Sequence, residues 1–100
     1  MKYNEEIERM RIQLGRQITK EIKDRIKVLG LVKTGTLLDS IDVKVRYTTD
    51  GFTLDLNAAD YYEYLDNEHH ITDYVVELSN IDEMMTDLFA EIVMFEIMKD

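Results

Sequence analysis

Near its start the chain carries a long run of apolar residues at helical spacing, and this limits the possible folds more than any other feature. Ile7, Met10, Leu14, Ile18, Ile22, Ile26 and Leu29 recur at steps of three and four, so they share one stripe of a single amphipathic helix. Charges such as Glu5, Arg9, Lys20, Glu21 and Asp24 fall on the other faces, and Gly30 supplies a C-terminal stop. The helix is expected over residues 4–29. Gly15 lies inside it at a cost of about 1 kcal/mol relative to alanine, and reads as a tolerated weak spot in preference to a close helix contact.

Beyond Gly30 the periodicity changes. A glycine-bearing turn at Thr34-Gly35 leads into a short helix expected over 36–41, with Leu37 and Ile41 four apart. Ile41, Val43, Val45 and Tyr47 then alternate with Asp42, Lys44 and Arg46, the pattern of a strand with one buried face. Across Thr49-Asp50-Gly51, Phe52, Leu54 and Leu56 alternate with Thr53, Asp55 and Asn57, so the pair reads as an antiparallel hairpin turning on an Asp-Gly loop. Residues 58–66 suit two helical turns, 67–73 read as a polar loop, and Tyr74 to Leu78 is rich in strand formers and suits a third strand. A last helix is expected over 81–98, capped by Asn80 or Asp82. Its stripe is Ile81, Met84 or Met85, Leu88, Ile92, Phe95 and either Ile97 or Met98.

With 100 residues, 45% hydrophobic, and no linker or repeat between these pieces, the expectation is one α+β domain over 1–100. It comprises a long N-terminal helix, a short helix, a hairpin with a possible third strand, and a C-terminal helix packed on the sheet. Cysteine is absent, which excludes disulfides and thiolate chemistry. The opening residues lack the apolar core of a signal peptide, and no run reaches the ~20 apolar residues that span a bilayer, so a soluble protein is expected.

Charge is distributed unevenly. Residues 1–50 hold eleven lysines and arginines against eight acids, whereas 51–100 hold one against thirteen. No lysine or arginine separates Arg46 from Lys99, and such a stretch repels phosphate backbones, which argues against sequence-specific nucleic-acid binding. The asymmetry suits self-association of a basic face with an acidic one, or simply a solubilising surface.

Chemistry-bearing patterns are weak. His69-His70 near Asp66, Glu68 and Asp73 matches no metal-ligand spacing and reads as a solvated loop. Ser40 and Ser79 sit in no nucleophile motif, and pairs such as Asp82/Glu83 or Asp39/Asp42 are what 21 acids produce by chance. The four glycines form no phosphate-binding loop. No catalytic, cofactor or metal residue is therefore expected. Tyr61, Tyr62 and Tyr64, with Tyr74 beyond, are the densest aromatic group and suit an interface as well as a core. Met84, Met85, Met94 and Met98 read as packing residues.

Thr34, Gly35, Leu37, Ser40 and Ile41 follow the pattern T-G-x-L-x-x-S-I, and Ala59, Tyr62, Tyr64 and Asp66 follow as a tyrosine-rich segment with an acid. In this order, between a long helix and a final one, they resemble the head–tail joining or tail-completion (neck) proteins of lambdoid-type tailed bacteriophages. The resemblance implies a virion subunit without enzymatic activity, several copies forming a ring that either joins portal or adaptor to tail or terminates the tail tube, with DNA passing through its channel and no membrane partner. It also implies that the first motif and Tyr61, Tyr62, Tyr64 and Asp66 belong to family-specific structure or contacts. The other reading is a small acidic regulatory module, an antitoxin or nucleic-acid mimic, that engages a basic partner.

Overall fold

The structure is a computed structural model that describes residues 4–31 and 35–98. In chain order its elements are α1 (Glu5–Val28), α2 (Gly35–Ser40), β1 (Asp42–Thr48), β2 (Gly51–Asn57), α3 (Asp60–His69), α4 (Ile71–Val76) and α5 (Ser79–Met98). The α+β class and the succession of long helix, short helix, hairpin and final helix are as expected.

Both ends of α1 are written in its sequence. The Asn4 side chain accepts the Ile7 N–H at 3.0 Å, and Glu5, Glu6 and Glu8 fill the first turn, where the helix dipole favours acids. At the other end Gly30 adopts φ +70°, and the Leu31 N–H reaches the Ile26 carbonyl at 3.1 Å while the Gly30 N–H reaches that of Lys27 at 3.0 Å. Those two bonds make a Schellman cap, which requires a residue tolerant of left-handed backbone. Between the ends, Ile7, Leu14, Ile18, Ile22 and Ile26 are buried along the predicted stripe, and Met10 packs against it half-buried.

β1 and β2 form a two-stranded antiparallel sheet in the register Val43 with Leu56, Val45 with Leu54 and Tyr47 with Phe52. The turn residues are Thr49 and Asp50, and Gly51 opens β2 at φ +149°. The expected Asp-Gly loop is thus displaced by one residue. That φ favours glycine, and an added Cβ would also come within 3.2 Å of the Phe89 ring, which would have to give way slightly.

Gly15 is no weak spot. An added Cβ would lie 2.6 Å from the Val43 carbonyl oxygen, which means that α1 rests directly on the backbone of β1. Arg11 and Thr19, one turn to either side, serve that strand's outward polar groups. Thr19 Oγ1 accepts the Val43 N–H at 2.9 Å, and Arg11 Nη1 donates to the Val45 carbonyl at 2.6 Å. The free edge of β1 is closed by one face of α1, with glycine between the two hydrogen-bonding side chains.

Two expectations fail after the sheet. Residues 67–73 are not a loop, because α3 continues to His69 and α4 starts at Ile71, with His70 alone between them at φ 53°, ψ 44°. Tyr74 to Leu78 is not a third strand. Ile71 and Val75, four apart, are fully buried, and this helical pairing of core residues overrides the strand preference of Val75 and Val76. The last helix begins at Ser79, so Asn80 and Asp82 lie within its first turn rather than capping it, and the Asn80 amide donates to Glu21 on α1 at 3.1 Å. α5 runs mainly along α1 and touches the sheet near Gly51, instead of covering the sheet face.

One core joins these pieces: the α1 stripe, Leu37, Ile41, Val43, Val45, Tyr62, Leu65, Ile71, Val75, Ile81, Leu88 and Ile92. Leu54 and Leu56, expected on a buried strand face, remain 36% and 39% exposed, because neither α1 nor α5 extends beneath the outer half of the hairpin.

Candidate interaction surface

The residues singled out by the first motif fall largely inside the protein. Thr34 lies outside the described residues. Gly35 opens α2 on the surface, while Leu37 and Ile41 enter the core. Ser40 is a latch: its hydroxyl donates to the Leu37 carbonyl at 2.6 Å and accepts the Ala59 N–H at 2.9 Å. It thereby ties the end of α2 to the residue before α3, clamping the two ends of the hairpin together. The spacing from Leu37 to Ile41 is thus that of an anchoring turn, with Ser40 bonding across it.

The tyrosine segment divides by helical geometry. On α3, Tyr62 and Asp66 are one turn apart and both reach Thr72 at the start of α4. The Tyr62 hydroxyl meets Thr72 Oγ1 at 2.8 Å, and Asp66 Oδ1 accepts the Thr72 N–H at 2.7 Å. His70 offers no side-chain cap to α4, so Asp66 supplies the acceptor from the preceding helix. Burial pushes the Tyr62 hydroxyl up to about 12; the nearby Asp66 charge adds to the rise and the Thr72 hydrogen bond opposes it. Tyr61 and Tyr64 point the other way, 45% and 61% exposed, with rings stacked 6.0 Å apart at 12°. Tyr74 holds the Arg25 guanidinium 3.9 Å above its ring. Of the three neighbouring tyrosines, only Tyr61 and Tyr64 are therefore open to a partner.

The broadest apolar exposure was not singled out in the sequence. From Leu88 to Met98, α5 is apolar on nearly every side, interrupted only by Glu91 and Glu96, yet the core takes only Leu88 and Ile92 fully. Phe89, Met94, Ile97 and Met98 stand 50%, 55%, 73% and 71% exposed. A helix apolar all round is normally enclosed, and this one is covered on one side only. The stripe expected for it named just one inward line, and the apolar residues off that line were the available signal.

No protein-family model, no curated protein and no solved structure matches this chain. Its chemistry is therefore read from its own groups. Among the described residues no three His, Cys, Asp or Glu side chains gather in a metal-binding cluster, and His70 and Asp73, 4.0 Å apart, are both largely exposed. The concave places are open grooves. The one between α1 and β1 is lined by Arg11, Ile12, Arg16, Thr19 and Lys44, and another by Glu6, Met10, Asp87, Ala90, Glu91 and Met94. Among the described residues no helix is long and apolar enough to cross a membrane.

The charge division of the sequence becomes a division of surfaces. α1 exposes Arg9, Arg16, Lys20 and Lys27, and β1 adds Lys44 and Arg46. Arg9 is engaged with Glu6, Lys20 with Asp24 and Arg46 with Asp55, whereas Arg16, Lys27 and Lys44 hold no ion pair among the described residues. Opposite in sign, α3 to α5 expose Asp60, Glu63, Glu68, Asp73, Asp82, Glu83 and Asp87 without any lysine or arginine among them.

Proposed function

We propose that this chain is a non-enzymatic assembly subunit, built to be covered by copies of itself and by neighbouring components. The apolar girth of α5 left open at Phe89, Met94, Ile97 and Met98 carries the reading. Exposed apolar ground of this kind marks a surface that a partner covers. The basic face of α1 and the acidic face of α3 to α5 supply the complementarity that orients one copy against the next.

Within that class, the bacteriophage neck is the assignment we favour, as a ring subunit between portal or adaptor and tail. It rests on the likeness of Gly35, Leu37, Ser40 and Ile41, and of Tyr62, Tyr64 and Asp66, to the head–tail joining pattern. An acidic wall turned to the channel would let DNA pass without sticking. Immunogold electron microscopy of particles from a host producing this chain tests it. Label at the head–tail junction is the expected result, and intact particles without neck label reject it.

The acids exposed from Asp60 to Asp87, with no lysine or arginine among them, favour one rival, a regulatory module that binds a basic protein. That module would bind one basic partner with an affinity that falls steeply with salt. Salt-dependent capture of a basic host protein, with no incorporation into particles, would favour the rival.

A further inference from the structure

The two edges of the hairpin are in opposite states. Val43 and Val45 turn their backbone groups away from β2, and α1 occupies that edge through Thr19, Gly15 and Arg11. No strand can add there. Since Val43 faces Leu56 and Val45 faces Leu54, the same ladder parity turns the N–H and C=O of Phe52, Leu54 and Leu56 outward on β2. Among the described residues nothing pairs with them.

Free edges are commonly guarded by proline, by lysine, by a bulge or by a covering element. The β2 sequence, GFTLDLN, carries no proline or lysine, and its register with β1 runs without a bulge. Its single charge, Asp55, is drawn back to Arg46 on β1. Residues 53–57 are exposed, and the half-bared Leu54 and Leu56 lie on the same face as Tyr47, itself 37% exposed.

We propose that β2 pairs antiparallel with β2 of a second copy about a two-fold axis at Leu54, making a four-stranded sheet in the order β1, β2, β2, β1. This pairing goes beyond the neck reading and does not rest on it. A second copy fits because GFTLDLN laid antiparallel on itself pairs every position without setting acid against acid, and since the β1 edge of each copy is blocked, contact between copies uses β2 twice. The register follows from pattern and charge. Only Phe52, Leu54 and Leu56 have outward N–H groups, so only they can form the hydrogen-bonded pairs.

Centring on Leu54 sets Phe52 against Leu56 of the second copy, Thr53 against its Asp55 and Gly51 against its Asn57. The whole strand is then paired and no acid faces an acid. Sliding one way brings Asp55 opposite Asp55, where like charges repel, and sliding the other way leaves Leu56 without a partner. The centred register also merges the bared leucines of both copies into one apolar face.

Because the chain has no cysteine, the register can be read by cross-linking. Thr53 and Asp55 of opposite copies would form a non-hydrogen-bonded pair with Cα atoms about 4.5 Å apart, within disulfide range. Thr53→Cys and Asp55→Cys copies, mixed under mild oxidation, are expected to give a mixed disulfide dimer roughly tenfold or more above either variant alone. A dominant homodimer of either variant, or no dimer, overturns the proposal.

Sedimentation of the unaltered chain against Leu54→Pro supplies a second reading, because that substitution deletes an outward N–H and spares the ladder to β1. The dimer dissociation constant is expected to rise roughly tenfold or more with an unchanged far-ultraviolet spectrum. An unchanged constant, or an unaltered chain that stays monomeric, overturns the pairing. Neither experiment involves particles, so the pairing and the neck assignment can fail separately.

Discussion

Single atoms decide the most at Gly15 and Tyr62. In an exposed helix, Gly→Ala gains about 1 kcal/mol from reduced backbone entropy. At Gly15 the added methyl would lie 2.6 Å from a strand carbonyl that cannot move without breaking the β1 edge, so steric repulsion wins. Gly15→Ala is expected to lower stability by about 1–3 kcal/mol, seen as an earlier urea midpoint with unchanged slope. A stabilised variant would mean that the helix does not rest on the strand.

Tyr62 gives a prediction in pH. Burial raises its hydroxyl to about 12, above the ordinary tyrosine value of about 10, so above about pH 10 the unfolded chain gives up a proton that the folded chain retains. Its contribution to stability is complete below pH 10 and is lost as pH rises towards 12. Urea midpoints measured between pH 9 and 12 should therefore fall more steeply for the native chain than for Tyr62→Phe, which has no proton to lose.

The junction between α3 and α4 shows how an element boundary can depend on one side chain. His70 holds a left-handed backbone that costs a non-glycine residue about 1 kcal/mol, and it gives no side-chain cap to the helix it introduces. Asp66 makes up the deficit by accepting the Thr72 N–H. Asp66→Ala is expected to cost about 1 kcal/mol and to speed exchange of the Thr72 amide, measured by denaturation and hydrogen exchange. Full retention of that amide's protection would show that the cap comes from elsewhere. The same junction accounts for the missing third strand. With Ile71 and Val75 committed to the core on one helical face, the chain turns away from the sheet, and β2 keeps an open edge.

For the molecule as a whole, shape and surface follow from α1. Its 24 residues span roughly 36 Å, and α5 runs beside it, which draws the described residues out to 51 × 24 × 18 Å. A body so slender has little interior relative to its girth, and the surplus apolar residues of α5 stay outside. Met94→Gln with Ile97→Gln is accordingly expected to change monomer stability by no more than about 0.5 kcal/mol in thermal melting. The same pair should abolish assembly with partner components in pull-down and particle-incorporation assays. A large loss of stability would place both side chains in the core and remove the surface from consideration.

Elements with one strong period were legible in the residues alone. The α1 stripe, its Gly30 stop, the alternation of β1 and β2 and the inward line of α5 all emerge from the residues, because local periodicity dictates which face an element can bury. The identity of the surface over that face is a different matter, settled by distant parts of the chain. Spacing could not reveal that Gly15 meets a strand edge, that Tyr62 turns inward while Tyr61 and Tyr64 turn out, or that Leu54 and Leu56 go half-covered. Residues 67–78 depart from their local signal for the same cause. Their β-branched valines favour a strand locally, but the core offered sites four residues apart, and burying Ile71 and Val75 outweighed propensity.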